Sequence, residues 1–196
     1  MSDGRRARDA WIACTSGLRL GERRLHAALW EHLFPALGRE NPNPKASQAE
    51  LDTLIASLSL PTLQGLKTSP AASALQGRFA IKPNEDGVIE LAFDFQNDQC
   101  DFTLVDQRGT HSLRVGFQQP IATDTILTGN YLHHQYHPEH TPVSAHGCLT
   151  TEGELRMDWR FVETAFGDHV SCRVHNWRLR FARAVNTNAG SLQRPT

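Results

Sequence analysis

The chain has 196 residues, with 20 Lys and Arg against 21 Asp and Glu and a sequence pI near 6.8. That length suits one well-cored domain, or a domain with part of another, and the even charge excludes the field expected of a nucleic-acid or anionic-membrane binder. Four widely spaced cysteines, Cys14, Cys100, Cys148 and Cys172, include no C-x-x-C pair, which excludes zinc sites of the usual spacing and thioredoxin-like motifs and makes buried reduced thiols in a cytoplasmic protein the expectation.

Arg5 and Arg6 precede an apolar patch broken by Arg8, Asp9, Thr15 and Ser16, so neither a signal peptide nor a span of roughly 20 apolar residues is expected. Asp9 to Gly17 reads as a short strand, Trp11-Ile12-Ala13-Cys14-Thr15, ending in a Ser-Gly turn. Leu25, Leu29, Trp30 and Leu33 then recur at helical spacing up to Pro35. A strand and one helix cannot bury their own apolar faces, so residues 9–37 are expected to dock on another surface. Asn41-Pro42-Asn43-Pro44 is a breaker cluster, and Ser47 with Glu50 resembles a capping box opening a short helix that carries Leu51, Leu54, Ile55 and Leu58. Pro61 to Pro70 reads as an extended connector.

From Gly77 the apolar period changes to two. Strands are predicted at about Gly77 to Lys82, Val88 to Phe95, Cys100 to Val105, His111 to Phe117, Asn130 to His134, Val143 to Leu149, Leu155 to Glu163, His169 to His175 and Trp177 to Arg183. Turn clusters such as Asn84-Glu85-Asp86-Gly87 and Gln107-Arg108-Gly109 separate them. The pattern predicts a mainly β fold: an antiparallel, lipocalin-like barrel of eight or nine strands or a bent sheet, preceded by a strand–helix piece and a short helix. The expected boundaries are 1–38, 39–72, 73–185 and a polar, disordered tail at 186–196.

Several segments together resemble one family. Ile12-Ala13-Cys14-Thr15-Ser16-Gly17 followed by Leu29-Trp30-Glu31-His32-Leu33-Phe34-Pro35 looks like the last strand and helix of the catalytic fold in β-lactamase-related bacterial serine hydrolases (class C β-lactamase or penicillin-binding-protein-like). Ser69-Pro70, Gly77-Arg78, Leu132-His133-His134-x-Tyr136 and Met157-x-Trp159-x-Phe161-x-Glu163-Thr164 resemble their C-terminal accessory β domain. The resemblance implies a non-catalytic domain, truncated or split from its enzyme, that shapes the cleft of a catalytic partner, or self-associates through residues 9–37. The family's chemistry needs Ser-x-x-Lys and Tyr-x-Asn. Here the residues three before Lys45, Lys67 and Lys82 are Pro42, Gln64 and Phe79, and Tyr131 and Tyr136 are followed two on by His133 and Pro138. No activity is expected from this chain alone, and no cofactor.

Other chemistry has thinner support. His133, His134, His137, His140 and His146 cluster, but adjacent strand residues face opposite sides and no His-Glu-x-x-His motif is present; His133, His134 and His137 are the candidate metal ligands. Ser144 or Ser171 with a histidine and Asp168 is a candidate triad without a Gly-x-Ser-x-Gly elbow. Asp158 and Glu163, five apart, fall on opposite faces of a strand, which disfavours an acid–base pair. Glu163 is in phase with Trp159 and Phe161 and needs a rim position or a cationic partner. The alternative function is a free-standing barrel binding a small apolar ligand or haem, with Phe93, Phe95, Trp159, Phe161 and Glu163 as candidate pocket residues and Phe102, Phe117, Met157 and Trp177 as further lining.

Overall fold

Period-two alternation dominates the second half of the chain, and the computed structural model turns it into a sheet. The structure describes residues 21–39, 42–127, 140–162, 164–186 and 193–194, in two units, Met1–Pro61 and Thr62–Thr196. The expected strand at Trp11 to Thr15 and the run at Asn130 to His134 lie outside the described residues.

In the first unit, the helix expected from Leu25, Leu29, Trp30 and Leu33 is α1 (Gly21–Ala28), a π-helical turn (Leu29–Leu33) and α2 (Phe34–Ala36). The Trp30 and Phe34 rings, four residues apart, meet with centroids 4.7 Å apart. The next helix, α3 (Pro44–Ser57), begins before the Ser47–Glu50 box. Asn43 caps it by accepting the Ala46 N–H at 3.3 Å, and Pro44 sits in the first turn, where a missing N–H costs no intrahelical bond. The Asn-Pro pair read as a breaker is thus the helix start.

In the second unit, Pro70–Leu75 forms a 3₁₀ helix that places Ala72 and Leu75 in the core. Among the described residues ten strands follow: β1 (Gly77–Ala80), β2 (Glu90–Gln96), β3 (Gln99–Asp106), β4 (Gly109–Gly116), β5 (Ile121–Thr125), β6 (Thr141–Leu149), β7 (Leu155–Phe161), β8 (Gly167–His175), β9 (Arg178–Val185) and β10 (Gln193–Arg194). They pair in the order β1-β2-β3-β4-β6-β7-β8-β9-β10, with β5 on β6. The result is mainly β, a nearly closed, lipocalin-like barrel of eight strands. Every pairing is antiparallel except the single parallel bridge between Gly116 of β4 and His146 of β6. β5 had no counterpart among the expected strands, and two residues of the expected tail pair with β9 as β10.

The connector belongs to this unit. Leu66 and Leu149 exchange two backbone hydrogen bonds of 2.8 Å, and the chain runs so close to β6 that a side chain at Gly65 would meet Cys148 Sγ at 2.8 Å and the Leu149 carbonyl at 2.9 Å. Among the described residues no helix is long and apolar enough to cross a membrane.

The core faces of the strands converge on a line of rings. Phe79 meets Phe93 at 5.9 Å, Phe93 meets Phe102 at 5.3 Å, and Phe102 meets Trp159 at 5.3 Å; Trp159 is fully buried. These offset and edge contacts join opposite walls of the barrel. Trp159→Ala is expected to cost about 3–5 kcal/mol, read as a fall in the urea midpoint, whereas a loss below about 1 kcal/mol would show that the rings do not hold the walls together.

Candidate functional site

Four of the five candidate pocket residues are packed together. Phe93, Trp159 and Phe161 are buried in one apolar cluster, and Phe95 is half-buried against it, stacked on Phe117 at 6.2 Å. Trp177 departs from its expected lining position: it is 98 % exposed. Asn176 and Trp177, with φ of 49° and 61°, form the two-residue turn between His175 and Arg178, and left-handed backbone at both positions is the geometry that suits a tight hairpin. Glu163, His133, His134 and His137 lie outside the described residues.

Two polar groups interrupt the core face. Arg183 alternates in phase with Phe181 and Val185 on β9, and all three are buried. Its guanidinium donates to Asp168 Oδ2 from Nε at 2.7 Å and from Nη2 at 2.6 Å, and lies 5.8 Å from the centre of the Trp159 ring. Burial of both partners strengthens their attraction and raises the cost of separating them.

A second acid–base group closes the β3–β4 hairpin. His111 lies on the core face, its side chain wholly buried, with Nε2 2.7 Å from Asp106 Oδ1. An ionised carboxylate only accepts, so this nitrogen carries the proton. Arg108 binds the same carboxylate through its backbone N–H at 2.8 Å and its guanidinium at 2.9 Å. Burial pushes the Asp106 carboxyl up, but the bonds from His111 and Arg108 outweigh it and hold the group below the usual carboxylate range.

The outer face of the sheet carries the more chemical arrangement. Strand register places His146, Asp158, His169 and Ala184 in one row across β6, β7, β8 and β9. Asp158, nearly buried, accepts a hydrogen bond from His169 Nδ1 at 2.5 Å and lies 3.6 Å from Arg160. His169 is about half exposed, and it borders the groove beside this row. His146 plays a different part: its Nδ1 accepts the Leu63 N–H at 3.2 Å, which leaves the neutral ring's proton on Nε2 and ties the connector to β6. Burial lowers the His146 pKa, with the Asp158 charge pulling the other way. A groove of about 360 Å³ runs beside this row, bordered by Leu63, Asp158, His169, Ser171, Ala182 and Ala184.

The candidate triad does not assemble. Asp168 and Ser171 are three residues apart on β8, so the pleat sends Asp168 to the core and Ser171 outward. The acid that orients His169 is Asp158, on the neighbouring strand. Ser144 lies opposite Arg160 in the β6–β7 register, and Ser171 lies opposite Arg156 in the β7–β8 register. Three thiols are equally removed from chemistry. Burial pushes Cys100 up to about 12, Cys172 well above its ordinary value and Cys148 in the same direction, so none is a thiolate nucleophile at neutral pH. Among the described residues no three His, Cys, Asp or Glu side chains group as a metal site.

Sequence reasoning missed the Asp158–His169, Asp106–His111 and Asp168–Arg183 pairs, all of which join residues on adjacent strands or across a hairpin. The signal was present for Arg183, an arginine in phase with Phe181 and Val185.

Arg183→Met should leave the Asp168 carboxylate buried without the two N–H bonds that Oδ2 accepts from the guanidinium, and about 3–5 kcal/mol of stability is expected to go in chemical denaturation. His146 supplies a pH test. Because its folded pKa is depressed below the ordinary 6.5, its contribution is present above that value and lost as pH falls through the folded pKa. The protection of the Leu63 amide, its exchange rate taken relative to that of an open amide at the same pH, should therefore fall as pH drops through the depressed His146 pKa in the native chain and not in His146→Gln; unchanged protection across the range would contradict the latch.

Comparison with models of protein families, with curated proteins and with solved structures finds no match for this chain.

Proposed function

We propose that residues 73–185 are the accessory β domain of a β-lactamase-related serine hydrolase, and that the domain shapes or supports the cleft of a catalytic domain without taking part in the bond-breaking step. The observation that carries this reading is where the family-like motif falls: Met157, Trp159 and Phe161 form the core face of β7, so the motif works in packing. The buried thiols and the absence of Ser-x-x-Lys from the sequence agree with a non-catalytic role. A cytoplasmic setting is part of the proposal, supported by the free state of Cys100, Cys148 and Cys172.

The partner surface is proposed at residues 9–37. Within the described part, Trp30 is 73 % exposed and Leu33 and Leu37 are also exposed, which suits a helix that docks on a catalytic fold or on a second copy. A ligand-binding barrel is the weaker reading, since Phe93, Phe102 and Trp159 occupy the barrel interior that an apolar ligand or haem would need.

The test pairs the coding sequence beside this one with an activity probe. A neighbouring β-lactamase-like domain with Ser-x-x-Lys that co-purifies with this chain is expected, and the chain by itself should take no fluorophosphonate or penicillin label. Labelling of Ser144 or Ser171, or neighbouring sequence unrelated to such enzymes, would overturn the proposal.

A further inference from the structure

We propose that the outer groove across β7, β8 and β9 binds a small carboxylate that carries an apolar body. Two depressions make up the groove. The larger, about 360 Å³, is bordered by Leu63, Ala182 and Ala184 as well as His169; the smaller, about 220 Å³, is bordered by Arg173 and Arg180. Glu154, Ser171 and Ala182 border both, so the two adjoin. Together they set the small apolar side chains Ala182 and Ala184 between the Asp158–His169 pair and an end where Arg173 and Arg180 outnumber Glu154, at a volume near the low end of small-molecule clefts.

The charges at that end are arranged against the stability of the empty sheet. Arg173 and Arg180 are direct cross-strand partners, a like-charge pairing that destabilises a sheet. Glu152 offsets Arg173 through a 2.8 Å bond and Glu154 offsets Arg156 through a 2.7 Å bond. Arg180 makes no ion pair among the described residues, and Arg178, opposite His175, adds another positive charge. A carboxylate seated between Arg173 and Arg180 relieves the repulsion with charge-assisted bonds from both forks. Its apolar body then lies over Ala182 and Ala184 towards Leu63, where an amide or a bare inorganic anion gains nothing comparable. This inference is independent of the accessory-domain proposal, because it uses only the barrel's own outer face.

Titration of the full chain with phenylacetate, followed by backbone amide NMR, should move the Ser171, Ala182 and Ala184 signals saturably. Phenylacetamide, which has the same body without the charge, should bind at least about tenfold more weakly, as should phenylacetate to the surface variant Arg180→Ala, the loss expected for one hydrogen bond to a charged group. Ala182→Leu, which fills the floor, should abolish the response while leaving the rest of the spectrum in place. The proposal is overturned if phenylacetamide matches phenylacetate, if inorganic phosphate moves the same signals equally well, or if Arg180→Ala binds as the native chain does.

Discussion

Arg183 lies across Trp159 and reaches Asp168 inside a barrel whose interior is mostly apolar. Three strands meet in that contact, since Trp159 belongs to β7, Asp168 to β8 and Arg183 to β9. A buried ion pair is a poor source of net stability, because desolvation offsets most of its attraction. Its effect is on alternatives: any packing that separates the two groups leaves a charge in an apolar interior. The ring line from Phe79 through Phe93 and Phe102 to Trp159 then ties the opposite wall to this fixed point. Hydrophobic burial supplies the drive to collapse, and the ion pair selects which collapsed arrangement is allowed.

The outer face follows from the same register with the opposite parity. Where the core side carries Trp159, Asp168 and Arg183, the solvent side carries Asp158, His169 and Ala184, one residue away on each strand. This explains why two of the sheet's three acid–base groups do not communicate: Asp168 neutralises a cation in the core, and Asp158 holds an imidazole on the outer face. The connector adds a third side to that groove, held by the His146–Leu63 bond and by the close approach at Gly65.

Much of this fold was legible from the sequence, for a definite reason. β2, β3, β4, β8 and β9 largely bury alternate residues, β6 and β7 keep alternation over part of their length before both faces are covered, and alternation survives in sequence whatever the neighbouring strands are. β5 was not legible because Ile121-Ala122-Thr123-Asp124-Thr125 is short and polar, and its strand character comes from pairing with β6. The start of α3 was misplaced because Asn43-Pro44 serves equally well as a breaker and as a cap. For the site, the strand period puts Asp168 and Ser171, three apart, on opposite faces, which the candidate triad overlooked, and it cannot choose which strand lies beside which. That is why Asp158 was not linked to His169.

The hairpin of Asn176 and Trp177 shows how much rests on one short turn. Its two left-handed residues set the alignment of β9 on β8. A single added residue there would slide β9 by one position, and every side chain beyond it would change sides. Arg183 would leave Asp168 for solvent, and Ala182 and Ala184 would enter the core in place of larger groups. The floor of the groove would then be built from Phe181, Arg183 and Val185. The barrel's inside and its outer groove are therefore not separately adjustable: the count of residues in that turn is a single digital setting that assigns β9 to both.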